Sequence, residues 1–222
     1  WPSEGSVAEE IVPAFVAAGI EWIATDRDVL VRGMPGASHL EPYMIDADTV
    51  AGDGGDTDDE LMIVFRDTEL SDKVGFFYQS NPPEENAADF VRTVLAKAPR
   101  WGEPARLMSV ILDGENAWEW YTKDHDGKRF QHLLYEGLAA AYADGSVITV
   151  TGDEYVKGNA ARGLVAHPVT AMTEYEDLFP GSWIGGRLDT WIGEVEENIA
   201  WNYLRTARAD LAAAAVLLNP IL

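Results

Sequence analysis

The chain contains no cysteine, which removes disulfides, zinc–thiolate sites and a cysteine nucleophile from consideration. Basic residues are scarce: 16 Lys and Arg stand against 38 Asp and Glu, a formal net charge of -22. Such a charge repels phosphate backbones and anionic lipid surfaces, so neither nucleic acid nor membrane is expected as a partner. Nor does any apolar run approach the ~20 residues that cross a bilayer. The histidines, His39, His125, His132 and His167, never fall in the i, i+4 pairing of a helical metal site, which disfavours a zinc hydrolase. No G-x-S-x-G elbow occurs, Gly5-Ser6 and Gly181-Ser182 being isolated pairs, so serine-based catalysis finds no support. The glycine-rich stretch Gly181-Ser182-Trp183-Ile184-Gly185-Gly186 lacks the lysine of a phosphate-binding loop. The first residue is Trp1 rather than Met, and Trp1-Pro2-Ser3-Glu4 runs straight into a helix-start signal. The chain is therefore expected to begin inside a longer protein, and the compartment stays open. No cofactor is expected.

What remains is ample material for a core, with 47% hydrophobic residues in 222 positions. Ser6-Val7-Ala8-Glu9 has the form of a capping box, and Ile11, Phe15 and Val16 follow at helical spacing up to Gly19. Ile20 to Ala24 and Leu61 to Phe65 read as buried strands, as do Leu107 to Leu112 and Val147 to Val150. Between the first two, Gly33 to Glu60 reads as a long surface insertion, its acidic end a solvated, solubilising face. Leu70 to Tyr78 is amphipathic, and Asn81-Pro82-Pro83 punctuates. Ala87 to Ala98 and Phe130 to Tyr142 have helical periodicity, and the Ala-rich tail Glu197 to Leu218 reads as a helical bundle packed beside the main unit.

Strands alternating with helices predict an α/β fold with a parallel sheet, open or closed into a barrel. In such folds the reactive groups sit at the carboxyl ends of the strands. Asp26, Arg66-Asp67 and Asp113 all fall there.

Paired carboxylates are the equipment for breaking a glycosidic bond: one protonates the leaving oxygen, the other attacks or activates water. Asp113 follows an apolar run, and the partial desolvation expected there raises a carboxyl toward a general acid. Its position alone reads equally well as the cap of the following turn. Glu115 and Glu119 compete for the role, and Glu115 is also a candidate for orienting Asp113 or bonding a sugar hydroxyl. On spacing alone Glu4 is a first-turn acid beside a helix dipole. Trp1, Trp118, Trp120, Trp183 and Trp191 lie in loop-like segments, where aromatic faces stack on sugar rings or pack into a core.

Five segments taken in order carry more information than any one motif. They are Trp1-Pro2-Ser3-Glu4-Gly5-Ser6-Val7; Trp22-Ile23-Ala24-Thr25-Asp26; Phe65-Arg66-Asp67-Thr68-Glu69-Leu70-Ser71-Asp72; Leu112-Asp113-Gly114-Glu115-Asn116-Ala117-Trp118-Glu119-Trp120-Tyr121; and Gly181-Ser182-Trp183-Ile184, continuing to Thr190-Trp191-Ile192-Gly193 and Glu196-Glu197-Asn198. Together they resemble the retaining α-glucan enzymes of glycoside hydrolase family 57, in its amylopullulanase-like and uncharacterised bacterial branch. The resemblance implies a partial (β/α)7-type barrel over residues 1–180 and a helical region over 181–222. It implies Glu4 as nucleophile and Asp113 as general acid/base, with the carboxyls roughly 5 Å apart. It also implies Trp1, Asp26, Arg66, Asp67, Glu115, Trp118, Trp183 and Trp191 as substrate contacts or orienting residues.

The family's early His-containing and Asn-Val-Glu-like segments have no counterpart here. The expected partners are therefore an α-glucan oligo- or polysaccharide and the upstream part of the protein's own barrel, and the isolated 222 residues are expected to be inactive. Thr68, where relatives often carry His, and Gly186-Arg187 depart from the pattern and leave substrate preference open. Within the same fold the resemblance also accommodates an α-glucan transferase or branching enzyme, or a non-catalytic glucan-binding relative. A metal-dependent deacetylase needs an Asp/His cluster that the histidines do not supply.

Overall fold

The computed structural model describes residues 1–47, 60–112 and 118–218. The described part is a mixed α/β structure organised around one short, mixed sheet. Its strands are β1 (Trp22–Asp26), β2 (Tyr43–Asp46), β3 (Glu60–Arg66) and β4 (Thr173–Glu174), in the spatial order β1-β3-β2-β4. β1 runs parallel to β3, with Asp26 opposite Arg66, whereas β2 runs antiparallel to β3 and parallel to β4.

β3 sits in the middle because its apolar run is buried on both faces, as a strand covered from two sides requires. Successive side chains point to opposite faces. Leu61, Ile63 and Phe65 accordingly join Val7, Val12, Val29, Leu30, Tyr43 and Tyr175 in one cluster. Met62 and Val64 join Ala24 on the other face, against Leu107, Ile111, Tyr155 and Met172.

The helices are α1 (Val12–Ala17), α2 (Arg27–Gly33), α3 (Thr68–Asp72), α4 (Pro83–Ala96), α5 (Lys128–Ala143), α6 (Gly152–Lys157) and α7 (Val195–Leu218). α4 starts at a proline, whose missing N–H costs nothing in a first turn. α3 continues into a π-helical turn at Lys73–Phe77, and with α4 and α5 it encloses a separate cluster of Leu70, Val74, Tyr78, Phe90, Tyr121 and Phe130. No described helix is long and apolar enough to cross a membrane.

Several expectations are corrected. The excursion from Gly33 to Glu60 is no mere surface insertion, since it supplies β2 to the interior of the sheet. That placement explains a second difference. β2 occupies the edge of β3 along Glu60 to Ile63, so Leu107 to Leu112 pairs with β3 only past that point, through one parallel bridge between Arg66 and Ser109. The run is half-buried and forms no strand. Val147 to Val150 forms no strand, with Ile148 58% exposed.

The capping box expected at Ser6 does not form, because Val7 spends its N–H and C=O on Gly181 and holds that stretch extended. The helix starts later, at Val12, after a 3-10 turn at Glu9–Ile11. A complete capping box occurs instead at Thr151 and Glu154, opening α6. The tail is one helix rather than a bundle, and along it Ile199, Trp201, Tyr203, Leu204 and Leu211 face solvent.

Ile63 has no solvent exposure and lies on the central strand. Ile63→Ala is expected to cost about 2–5 kcal/mol of stability, read as a lower urea midpoint at unchanged slope.

Candidate active site

Glu4 lies in a 3-10 turn, Ser3–Gly5, with φ 58° and ψ 21°. A non-glycine residue in the left-handed region is uncommon and costs energy, so something must hold it there. Trp183 does so twice. Its backbone N–H donates to the Glu4 carbonyl at 3.2 Å, and its indole Nε1 donates to Glu4 Oε2 at 2.8 Å.

The following residue needs glycine for two reasons. Gly5 also has φ 58°, and a Cβ there would come within 2.6 Å of the Trp1 ring. Thr25 at the end of β1 fixes this turn from below, its hydroxyl donating to the Gly5 carbonyl at 2.6 Å. The paired backbones of Val7 and Gly181 bring the two distant stretches together.

Arg66, at the carboxyl end of β3 and only 4% exposed, lies beneath this clamp. Its guanidinium sits 5.5 Å from the Trp183 ring centroid. Nε donates to the Ile111 carbonyl at 3.0 Å, Nη1 to Asp26 at 3.2 Å and Nη2 to Asp72 at 2.6 Å. Asp26 also caps α2 through the Asp28 amide and accepts from the Thr68 hydroxyl. Burial pushes the Asp26 carboxyl above its ordinary range, and the Asp28 amide and Arg66 offset this only in part.

Asp67 belongs to a different environment. Its carboxylate caps α3 through the Leu70 amide and accepts from His39 Nε2 at 3.0 Å and from Lys97. Burial alone would raise its pKa, but the hydrogen bonds from His39 and Lys97, aided by the cap, outweigh it and hold the carboxyl well below the usual range.

The expected site residues therefore divide. Glu4, Trp1, Trp183, Arg66 and Asp26 come together. Trp1 and Trp183 meet edge to face, with ring centroids 6.2 Å apart. Trp191 is one step away, donating its indole N–H to the buried Ser182 hydroxyl beside Trp183. Asp67 is engaged with His39 and Lys97. Trp118 packs on Tyr121 in the cluster enclosed by α3, α4 and α5. Asp113 and Glu115 lie outside the described residues; the chain is described as far as Leu112, one residue past the carbonyl that Arg66 holds. Among the described residues no three His, Asp or Glu converge as metal ligands.

Sequence reasoning missed Thr68 and Asp72 as partners of the buried pair. Asp72 carried one signal, its placement six residues after Arg66 at the end of the short helix that follows the strand. His39 had none, because its partner is distant in sequence.

The described site is thus a strained, doubly held glutamate beside Trp1, Trp183 and a buried arginine, on a mixed α/β scaffold. The sequence profile of glycosyl hydrolase family 57 matches residues 1–168, about three quarters of the chain, and the protein belongs to that family. No curated protein matches the chain significantly.

The Asp67 pairing has a pH signature. A carboxyl whose folded pKa lies below its unfolded one stabilises the fold fully above about pH 4 and loses that contribution as pH falls further. Asp67→Asn is expected to be less stable near neutral pH and to lose less stability on acidification, measured as unfolding midpoints between pH 7 and 3.

Proposed function

We propose that the protein is a retaining glycoside hydrolase acting on α-linked glucans, with Glu4 as nucleophile and Asp113 as general acid/base. Membership of a glycosyl hydrolase family supports cleavage of a glycosidic bond. The observation that carries the assignment of Glu4 is its backbone: a left-handed glutamate, clamped by Trp183 through main chain and side chain, has no need of such strain if it is only a first-turn acid.

In the proposed reaction one Glu4 oxygen bonds the anomeric carbon as the bond to the leaving oxygen breaks, and Asp113 gives that oxygen its proton. Water then attacks the same carbon, Asp113 takes the water's proton, and Glu4 departs as carboxylate. On the acid side, support comes from Arg66, which bonds the carbonyl of Ile111, two positions before Asp113, and lies against Trp183. Trp1 and Trp191 are proposed to line the sugar path and Asp26 to orient the wall through Arg66. The more distant roles for Asp67, Glu115 and Trp118 rest on the family pattern alone. The fuller architecture is proposed as a (β/α)7-type barrel over residues 1–180 followed by a helical region.

In the complete protein, Glu4→Ala and Asp113→Ala are each expected to lower turnover of α-linked glucans by about a thousandfold or more. The first-formed product should keep the anomeric configuration of the substrate, as followed by proton NMR. Wild-type rates in either variant, or an inverted product, would refute the mechanism.

A further inference from the structure

We propose that Trp183 is a positioning residue for Glu4, acting through its indole N–H rather than as a platform for sugar, and that Arg66 fixes the plane from which that N–H is delivered. The inference rests on the reading of Glu4 as the attacking carboxylate.

Three contacts settle where the indole lies. It meets Trp1 edge to face, at an interplanar angle of 83°. One face carries the Arg66 guanidinium, which is held by Ile111, Asp26 and Asp72 on separate nitrogens. Hydrogen bonds leaving a planar fork in three directions forbid its rotation unless a buried carboxylate is left unpaired. The third contact is the Trp183 backbone N–H on the Glu4 carbonyl, which latches the residue to the same glutamate that its side chain serves. The face that Arg66 covers is closed to stacking, and the N–H at 2.8 Å from Glu4 Oε2 is committed to the carboxylate.

The chemistry needs such a donor. A nucleophilic carboxylate must offer one oxygen to the anomeric carbon and be kept from swinging away. With Oε2 held, Oε1 is the oxygen left to attack. In the second step the bond from Oε1 to carbon breaks and its electrons return to the carboxylate, where a donor already in place stabilises the returning charge. Loss of the N–H should therefore slow release of the glycosyl-enzyme more than it weakens substrate binding.

Trp183→Phe keeps an aromatic ring for Trp1 and Arg66 and removes the N–H. With maltooligosaccharides and the complete protein, kcat is expected to fall about tenfold to a hundredfold with KM unchanged or lower. A raised KM with retained kcat would mark a sugar platform and overturn the proposal. Equal loss in all preparations, scaling with the unfolded fraction, would mark a merely structural role and do the same.

The two readings fail separately. Wild-type turnover in Glu4→Ala removes the nucleophile itself, while an inactive Glu4→Ala beside a Trp183→Phe with wild-type kcat and KM removes only the positioning role. A readout without substrate is also available from protein labelled with 15N at its 8 tryptophan indoles. Glu4→Ala should shift the Trp183 resonance, assigned by its loss in Trp183→Phe, and speed its exchange with solvent. A Trp183 resonance indifferent to Glu4 would overturn the proposal.

Discussion

A guanidinium taken almost wholly out of water must find compensation for every N–H and for its charge, or the fold cannot afford it. Around Arg66 that demand arranges much of the candidate site. Asp26 comes from the end of β1, Asp72 from the end of α3, the Ile111 carbonyl from the segment leading toward Asp113, and the Trp183 ring from the far side of the chain. Four separately encoded pieces are thus brought to one point by one side chain. Removing Arg66 would leave the buried Asp26 carboxyl without its cation, a loss that typically costs about 3–5 kcal/mol.

Two acidic residues adjacent in role were expected near the pocket, and their surroundings push them in opposite directions. Asp26 shares its cation with Asp72 and remains dominated by burial. Asp67 has two donors of its own besides the α3 amide, and these prevail. Arg66 closes β3 and Asp67 follows it as the N-cap of α3, so the two neighbours enter separate networks. One network reaches Trp183 and Glu4, the other ties His39 and Lys97 to the start of α3.

Much of this was legible in the amino-acid sequence wherever the information is local. The apolar run of β3, the β-rich Trp22 segment and the periodic stretches of α4 and α5 all follow from nearest neighbours, although α4 begins at Pro83, four residues before the expected Ala87. What was hidden is decided by competition between distant segments. Nothing in Leu107 to Leu112 reveals that Tyr43 to Asp46 takes its place along β3. Nothing at Ser6 reveals that Gly181 claims the neighbouring backbone and prevents the cap. Glu4 had the spacing of an ordinary first-turn acid; only the ordered family segments pointed to it, and its left-handed backbone and the Trp183 clamp depend on contacts no local pattern encodes. Trp183 was expected to line the substrate path, and no local pattern pointed to its indole as a donor to Glu4.

The union of Val7 with Gly181 bridges nearly the whole described length of the chain. Contacts of such separation carry a large loop-closure cost and form late relative to local ones. During synthesis the sheet and its helices can settle while residue 4 remains unclamped, and its taut backbone is established only after residue 183 has emerged. A ribosome-bound chain short of that point would hold most of its sheet while residue 4 still lacked the contacts that keep it left-handed.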